Sequence, residues 1–197
     1  MTTSGSWVDL VEAAALGFFI GSISPATILA RIRHADLHQG SGNPGATNVG
    51  RVLGVRWGVL VGLLDVLKGM LPTLLALWLV DRLTAYVVGL ATVLGHVLSP
   101  FLRGRGGKGV ATSLGAILAV FPWFALGMVV VFGLMLWRTR WVAGSSVAAA
   151  GFLGLYAAVG PLPDPVAAGR AWGICVALLV IVRHQGNIRS WVRRRLT

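Results

Sequence analysis

Three short segments of this chain carry residues that could bind a phosphorylated ligand. The first, residues 40–51 (GSGNPGATNVGR), combines glycines, hydroxyls, carboxamides and an arginine in a chain that is 56% hydrophobic. Glycines let the backbone approach a ligand closely, and an arginine can hold an oxyanion with two parallel hydrogen bonds. Solvated turns between membrane helices have a similar composition, so this segment alone leaves both an anion site and a plain turn open.

The second segment, residues 103–109 (RGRGGKG), precedes an apolar run. A glycine-rich loop that opens a helix brings free N–H groups, the positive end of the helix dipole and the Lys108 ammonium to one place. The segment is not a Walker A loop, because Leu102 and Gly109 stand where that motif needs Gly and Ser or Thr. Its cations could serve only as topology signals that touch anionic lipid headgroups. The interleaved glycines favour a phosphate site.

The third segment, residues 183–189 (RHQGNIR), contains His184 and Asn187. Being three positions apart, the two residues would share one face of a continuing helix and could both meet a substrate. The alternative is a helix end capped by basic residues. Inside a predicted span, Asp65 and Lys68 are also three apart, and we expect them to pair because isolated charges in a bilayer are costly.

Several common catalytic patterns are absent from the sequence. No histidine is followed five positions later by an aspartate, and there is no Gly-x-Ser-x-Gly elbow. The six acidic residues are too scattered to hold a metal pair. The sequence therefore predicts no metal and no cofactor, and a chemistry that depends on binding and positioning anions.

The elements that must position these segments are membrane helices. Only 12% of the 197 residues are charged, and apolar runs recur along the chain. We therefore predict an all-α polytopic membrane protein, residues 1–197 forming a single domain. Seven helices are predicted near residues 10–30, 58–80, 84–102, 109–121, 123–137, 142–160 and 167–182. The fourth and fifth of these are short and could form a re-entrant pair hinged at Phe121.

The charge distribution predicts the orientation of these helices. Of the 17 lysines and arginines, 14 fall in residues 31–57, 103–108, 138–140 and 183–195. The positive-inside rule then places the N-terminus outside and the C-terminus in the cytoplasm, with all three candidate segments on the cytoplasmic face. The formal charge of +11 is explained by this topology, so we expect no nucleic-acid partner.

Together these residues resemble one known family, the bacterial acyl-phosphate-dependent glycerol-3-phosphate acyltransferases (PlsY). The likeness is carried by residues 40–48 with Arg51, by residues 106–112, and by His184-x-x-Asn187. Asp65-x-x-Lys68-Gly69 and Leu94-Gly-His96 also match, so the resemblance covers nearly the whole chain.

The resemblance implies a seven-span inner-membrane enzyme with its active site on the cytoplasmic face. Such an enzyme moves a fatty acyl group from acyl phosphate to the 1-hydroxyl of glycerol 3-phosphate and releases lysophosphatidate and phosphate. Its partners are these two substrates and the surrounding membrane lipids. It does not use acyl-CoA. No oligomeric state follows from the sequence.

Site residues carry over from the family by position. The resemblance implies that Arg51 and Lys108 bind substrate phosphates. The implied catalytic set is Ser41, Arg51, Lys108, His184 and Asn187. The implied substrate-binding set is Gly42, Asn43, Gly45, Thr47, Asn48, Gly106, Gly107, Gly109 and Ser146.

The chain departs from the family pattern at two places. Ala143 stands where the family has the first of two serines, with Ser146 kept as the second. Pro44 stands where the family commonly has an aliphatic residue, which stiffens the loop.

Two other classes of function remain as alternatives. A transporter of a small organic phosphate would also need anion-binding loops, but it predicts polar residues at the bilayer midplane and cations on both faces. A purely structural membrane scaffold would not need glycines beside its cations.

Overall fold

The computed structural model of the chain describes residues 7–196, and every regular element in that range is helical. This confirms the predicted all-α class. Single turns of 3₁₀-helix lie at Leu37–Gln39 and Pro100–Leu102. The α-helices are α1 Trp7–Ser22, α2 Pro25–Ile32, α3 Ala46–Leu53, α4 Val55–Leu79, α5 Arg82–Leu98, α6 Val110–Val120, α7 Pro122–Thr139, α8 Val142–Val159, α9 Val166–Arg183 and α10 Gln185–Leu196.

Within residues 7–196, six helical stretches are long and apolar enough to cross a membrane, with α1 and α2 together counted as one. Helix α7 has 18 residues, more than the sequence predicted, and it reaches spanning length. Helix α6 has 11 residues and is only about 16 Å long, against a bilayer core of about 30 Å. The seventh span and the orientation of the termini therefore stay predictions.

The first predicted helix, expected to run without a break over residues 10–30, is interrupted. Helix α1 ends at Ser22 and α2 begins at Pro25. Ser24 caps α2, its Oγ accepting the N–H of Thr27 at 3.3 Å. The break has a local cause, because the residue before a proline avoids the helical region and proline has no N–H to donate.

The chain divides after Val120 into two compact units. In the first unit α4 packs against α3, α5 and α6, and α5 packs against α1. Glycines let these helices approach backbone to backbone, as small residues do in lipid. A Cβ would collide with a carbonyl group of the facing helix at each of four positions: Gly21 with Thr92, Gly95 with Phe18, Gly69 with Thr112, and Gly115 with Val66.

In the second unit α8 packs against α7 and α9, and α10 contacts α8 and α9. Phe124 of α7 stacks on Phe152 and Tyr156 of α8, with ring centroids 5.0 and 4.3 Å apart. Arg170 of α9 donates to the carbonyl of Ala157 at 3.0 Å, which satisfies a group at the end of α8. That the two units form one functional domain stays a prediction.

Candidate active site

Helix α4 brings the first two candidate segments to one of its faces. Gly58, Gly62 and Gly69 lie at positions i, i+4 and i+11, which fall on a common helix face. A Cβ on Gly58 would lie 2.9 Å from the carbonyl of Ala46, and one on Gly62 would lie 3.5 Å from the Ala46 Cβ. Gly69 lies against Thr112 of α6. The starts of α3 and α6 are therefore held on one side of α4, about 10 Å apart along its axis.

A cavity of about 780 Å³ also lies between these segments. Gly42 and Pro44 of the first segment line it, together with Arg103 and Arg105 of the second and Arg31 of α2. The two segments therefore border one cationic space within the first unit. Gly42 is a predicted site residue that lines it.

The first segment is a loop only as far as Gly45, which caps α3. The prediction of a loop over the whole of residues 40–51 is wrong, because Thr47, Asn48 and Arg51 belong to α3. Thr47 and Arg51 are exposed, so both can reach a ligand. Helix α3 is only eight residues long, but Ala46, Val49 and Leu53 lie at i, i+3 and i+7, an apolar spacing that could have predicted it.

Asn48 orders this loop from inside the protein. Its Oδ1 accepts the N–H of Ser41 at 2.7 Å, and its Nδ2 donates to the carbonyl of Leu37 at 2.8 Å. The residue is 1% exposed. Its position makes it an internal brace, whereas Ser41 in the same loop is exposed and Asn43 is half-buried.

The 3₁₀ turn before the loop is capped by Asp36. Its Oδ1 accepts the backbone N–H of His38 at 2.9 Å and the ring Nδ1–H of the same residue at 2.9 Å. These hydrogen bonds, the backbone one first, hold the pKa of Asp36 below its usual value. The turn presents the Leu37 carbonyl, which also accepts the N–H of Gly42 at 3.1 Å.

The second segment is ordered by backbone hydrogen bonds. The N–H groups of Gly106 and Gly107 donate to the carbonyls of Val97 and His96, each at 3.1 Å, at the end of α5. The expectation that these two N–H groups bind a phosphate is corrected here, because the protein itself engages them. A phosphate at this segment would instead meet the first amides of α6, which have no partner inside the helix.

The start of α6 contains further polar groups. Ser113 donates its N–H to the carbonyl of Gly109 at 2.7 Å, and Gly109 has φ +82°, which favours glycine. The hydroxyls of Thr112 and Ser113 are buried and have no hydrogen-bond partner among the described residues. Neither hydroxyl was among the predicted site residues. The signal that could have found them is their place in the first turn of a helix that follows a cationic glycine-rich loop.

The third segment lies in the second unit and is not one continuing helix, contrary to the expectation for His184 and Asn187. Helix α9 ends at Arg183 and α10 begins at Gln185. His184 stands between the two helices, and its carbonyl accepts the N–H of Ile188 at 3.0 Å. Asn187 lies in the first turn of α10.

The surroundings of His184 fix the tautomer of its ring. The residue is 2% exposed, and its Nδ1 is 2.8 Å from the carbonyl of Val180. A carbonyl only accepts, so Nδ1 carries the hydrogen. In the neutral ring Nε2 is then the acceptor, and it can receive a hydrogen bond from a hydroxyl.

Ser146, the predicted site residue of α8, is 4% exposed and donates its hydroxyl to the carbonyl of Val142 at 3.0 Å. Because its hydrogen is used, the hydroxyl can only accept from a ligand. Ala143 is also buried, one turn earlier.

A buried cluster of ionisable side chains lies in the first unit. Lys68 Nζ is 2.9 Å from Asp65 Oδ1, which confirms the predicted pair. His96 Nδ1 lies 3.5 Å from the same oxygen, a contact that the sequence did not predict. Its partner belongs to another helix, so no spacing rule could have revealed it.

The fold and the two converging segments define a polytopic membrane protein with a cationic, glycine-rich site. A family model described as glycerol-3-phosphate acyltransferase matches residues 11–194. The chain therefore belongs to the glycerol-3-phosphate acyltransferase family, and the resemblance noted in its sequence is confirmed.

Individual relatives match over nearly their whole length. The glycerol-3-phosphate acyltransferase of Aquifex aeolicus is 42% identical over 184 residues, which cover 90% of this chain and 93% of the relative. Glycerol-3-phosphate acyltransferase 1 of Deinococcus radiodurans is 42% identical over 180 residues, covering 90% and 89%.

Solved structures give the same result. Crystal structures of PlsY (YgiH), an integral membrane glycerol 3-phosphate acyltransferase, exist in a glycerol 3-phosphate form and a lysophosphatidic acid form. They superpose on this chain with TM-scores of 0.87 and 0.86 at 38% identity, covering 94% of this chain and 93% of each solved chain.

Proposed function

We propose that this protein transfers a fatty acyl group from acyl phosphate to the 1-hydroxyl of glycerol 3-phosphate, giving lysophosphatidate and phosphate. The observation that carries the proposal is the close likeness to a structure named for its glycerol 3-phosphate form and to another named for its lysophosphatidic acid form. These two compounds are the acceptor and the acylated product of such a transfer. Two cationic segments held on one face of α4 fit this chemistry.

The family resemblance implies acyl phosphate as the acyl donor. Acyl phosphate is already activated, since phosphate is a good leaving group, so the protein needs no nucleophile of its own. The hydroxyl oxygen attacks the carbonyl carbon, the carbon–oxygen bond to phosphate breaks, and phosphate leaves. The task of the protein is to hold two anions with the hydroxyl about 3 Å from the carbonyl, a geometry that can supply much of the rate enhancement.

We assign the predicted site residues to this task as follows. Arg51, exposed in the last turn of α3, and Lys108, just before α6, bind the two phosphates through charge-assisted hydrogen bonds. Ser41, Asn43 and Thr47 contact glycerol phosphate. Gly42 and Gly45 shape the loop that Asn48 braces, while Gly106, Gly107 and Gly109 shape the approach to α6.

The predicted residues of the second unit are assigned to substrate binding as well. His184 accepts the attacking hydroxyl at Nε2, Asn187 contacts the substrate, and Ser146 accepts a hydrogen bond. The proton of the hydroxyl goes either to His184 or to the substrate's own phosphate, and the family resemblance favours the phosphate. In His184→Ala we then expect near-normal kcat with a raised KM for glycerol 3-phosphate. A kcat lower by 100-fold or more would identify His184 as the base.

The cationic segments are assigned to the cytoplasmic face of a bacterial plasma membrane, where soluble glycerol 3-phosphate is available, while the acyl tail enters from the bilayer between helices. Single-cysteine variants test this orientation in a Cys175→Ala background. Gln39→Cys and Gly104→Cys should be labelled only from the cytoplasmic side, and Asp164→Cys only from outside.

The decisive experiment supplies purified protein with radiolabelled glycerol 3-phosphate and either palmitoyl phosphate or palmitoyl-CoA. Labelled lysophosphatidate from palmitoyl phosphate alone supports the proposal. Product from palmitoyl-CoA alone would overturn the donor assignment. Uptake of label into vesicles without any product would instead support a transporter of organic phosphate.

A further inference from the structure

The buried cluster of Asp65, Lys68 and His96 lies outside the two cationic segments. The side chains of Lys68, Asp65 and His96 are 9%, 3% and 7% exposed. Ionisable groups are costly within a membrane span, and a buried ion pair adds little net stability compared with apolar residues of similar size. Stability alone therefore does not explain why this chain keeps three such groups together.

Lys68 connects the cluster to the break between α1 and α2. Its Nζ donates to the carbonyl of Ile23 at 2.6 Å, besides its contact with Asp65. The neighbouring carbonyl of Ser22 accepts the hydroxyl of Ser99 at 2.7 Å. Carbonyls at a helix end have no partner inside the helix, so side chains of other elements fix this break. Helix α2 begins two residues later and leads into the first cationic segment.

His96 connects the cluster to the second cationic segment. Its carbonyl accepts the N–H of Gly107 at 3.1 Å, and a Cβ on Gly107 would collide with the ring Nε2. The Gly107 turn therefore packs directly against the imidazole ring of His96. The next residue in the chain is Lys108, which we assign to a substrate phosphate.

Asp65 contacts both Lys68 and His96, and it lies on the face of α4 that carries both segments. It lies between Gly62, which contacts the start of α3, and Gly69, which contacts the start of α6. One carboxylate oxygen meets the lysine at 2.9 Å and the imidazole at 3.5 Å. A shift of this carboxylate would move the supports of both segments at once.

We propose that Asp65, Lys68 and His96 are positioning residues for acyl transfer. The cluster fixes the α1–α2 break and the Gly107 turn, and it thereby sets the spacing at which the two segments hold their phosphorylated reactants. This inference rests on the proposed function. The three residues act through the segments rather than on the substrates. Because a misplacement of about 1 Å can cost about 100-fold in rate, such a role is visible in kcat.

The test compares three variants with the wild type in the palmitoyl phosphate assay. Asp65→Asn combined with Lys68→Met keeps side-chain size and removes both charges, so no unpaired charge stays buried. We expect a thermal unfolding midpoint in detergent near that of the wild type, a KM for glycerol 3-phosphate within about threefold, and a kcat lower by about 10- to 100-fold. His96→Gln, which leaves the Asp65–Lys68 pair intact, should give the same pattern.

Thr73→Val is the matched control, because Thr73 is another buried polar residue of α4 whose hydroxyl donates to the carbonyl of Gly69 at 2.7 Å. Its kinetics should stay those of the wild type. A kcat within about threefold in a folded cluster variant, or an equal loss in Thr73→Val, would overturn the positioning role.

Failure of folding is also informative. If the double variant does not fold, His96→Gln decides alone, by lowered or unchanged kcat at unchanged KM. Loss of folding in both would overturn the inference, since the cluster would then serve stability. A wild type that makes no lysophosphatidate would reject the proposed function, whereas an active wild type with unaffected variants rejects only the role of the cluster.

Discussion

The two cationic segments of the first unit are ordered in opposite ways. In the first, one buried side chain, Asn48, binds the backbone of Ser41 and Leu37. In the second, backbone N–H groups of Gly106 and Gly107 bind carbonyls at the end of α5. A side-chain brace can be deleted by one substitution, whereas a backbone brace is disturbed only when added bulk separates its partners. A single substitution should therefore disorder the first segment more easily than the second.

The largest effects are expected at the cation of each segment that we assign to a substrate phosphate. Arg51→Ala and Lys108→Ala should each remove a charge-assisted contact and cost about 2–4 kcal/mol in transition-state stabilisation, roughly 30- to 1,000-fold in kcat/KM. Steady-state kinetics with palmitoyl phosphate and glycerol 3-phosphate measure this loss.

Arg138→Ala provides the control, because it removes an exposed cation at the end of α7, outside the two segments and the cavity that they border. It should keep kcat/KM within a few fold of the wild type. Activity within a few fold in Arg51→Ala or Lys108→Ala would contradict the phosphate assignment. A large loss in Arg138→Ala would show that the total charge of the protein matters more than one contact.

The next largest effect is expected at Asn48, because the first segment depends on this side chain whereas the second is ordered by backbone hydrogen bonds. Asn48→Ala removes two hydrogen bonds in a buried place and should lower the free energy of unfolding by about 1–3 kcal/mol. We expect kcat/KM to fall by about 10- to 100-fold because the loop loses its order.

Asn48→Asp sharpens this result, since the carboxylate keeps an acceptor for the Ser41 N–H but loses the donor to the Leu37 carbonyl. Gln39→Ala, an exposed change in the same loop, should leave both stability and activity unchanged. Equal losses in Gln39→Ala and Asn48→Ala would show that the loop tolerates no substitution and that Asn48 is not a specific brace.

Features that depend on residues within one helix could be predicted from the sequence. Long apolar runs predict membrane helices because the bilayer requires internal hydrogen bonding, and the i, i+3 spacing of Asp65 and Lys68 predicts a pair because both lie on one helix. Helix α3 was missed because it has only two turns and directly follows the glycine-rich loop, although its apolar residues recur at helical spacing. The break before Pro25 was readable from the Ser24-Pro25 dipeptide.

Other features of the site depend on contacts between distant parts of the chain. From the sequence, the N–H groups of Gly106 and Gly107 were expected to be available for a phosphate. Their carbonyl partners lie at the end of the preceding helix, and the spacing of residues within the loop does not reveal that contact. The contact of His96 with Asp65 joins two different helices, α5 and α4. Spacing rules within one element carry no information about such contacts.

A smaller effect is expected from bulk added to the backbone-ordered segment. A Cβ on Gly106 would collide with the carbonyls of His96 and Val97, so Gly106→Ala should displace the turn and lower kcat/KM by about tenfold. In Gly151→Ala the Cβ meets nothing within 4 Å in the middle of α8, and the helix should be unchanged or stabilised by about 0.5 kcal/mol. Equal kinetics for the two variants would argue against close backbone contact at Gly106.

The smallest effect is expected at Asp36, an exposed counterpart of the buried Asn48 brace. Hydrogen bonds from His38 hold the pKa of the Asp36 carboxyl below its ordinary value of 3.8. Its contribution to stability is therefore present above that value and is lost as the pH falls through the lowered pKa. Near neutral pH, Asp36→Asn should lower the unfolding midpoint by no more than about 1 °C, because the group is exposed and solvent screens it. Midpoints measured from pH 7 downward should begin to converge below pH 3.8. A difference that does not narrow below that pH would show that the carboxylate does not stabilise the turn through its charge, and the contrast with Asn48 would then rest on burial alone.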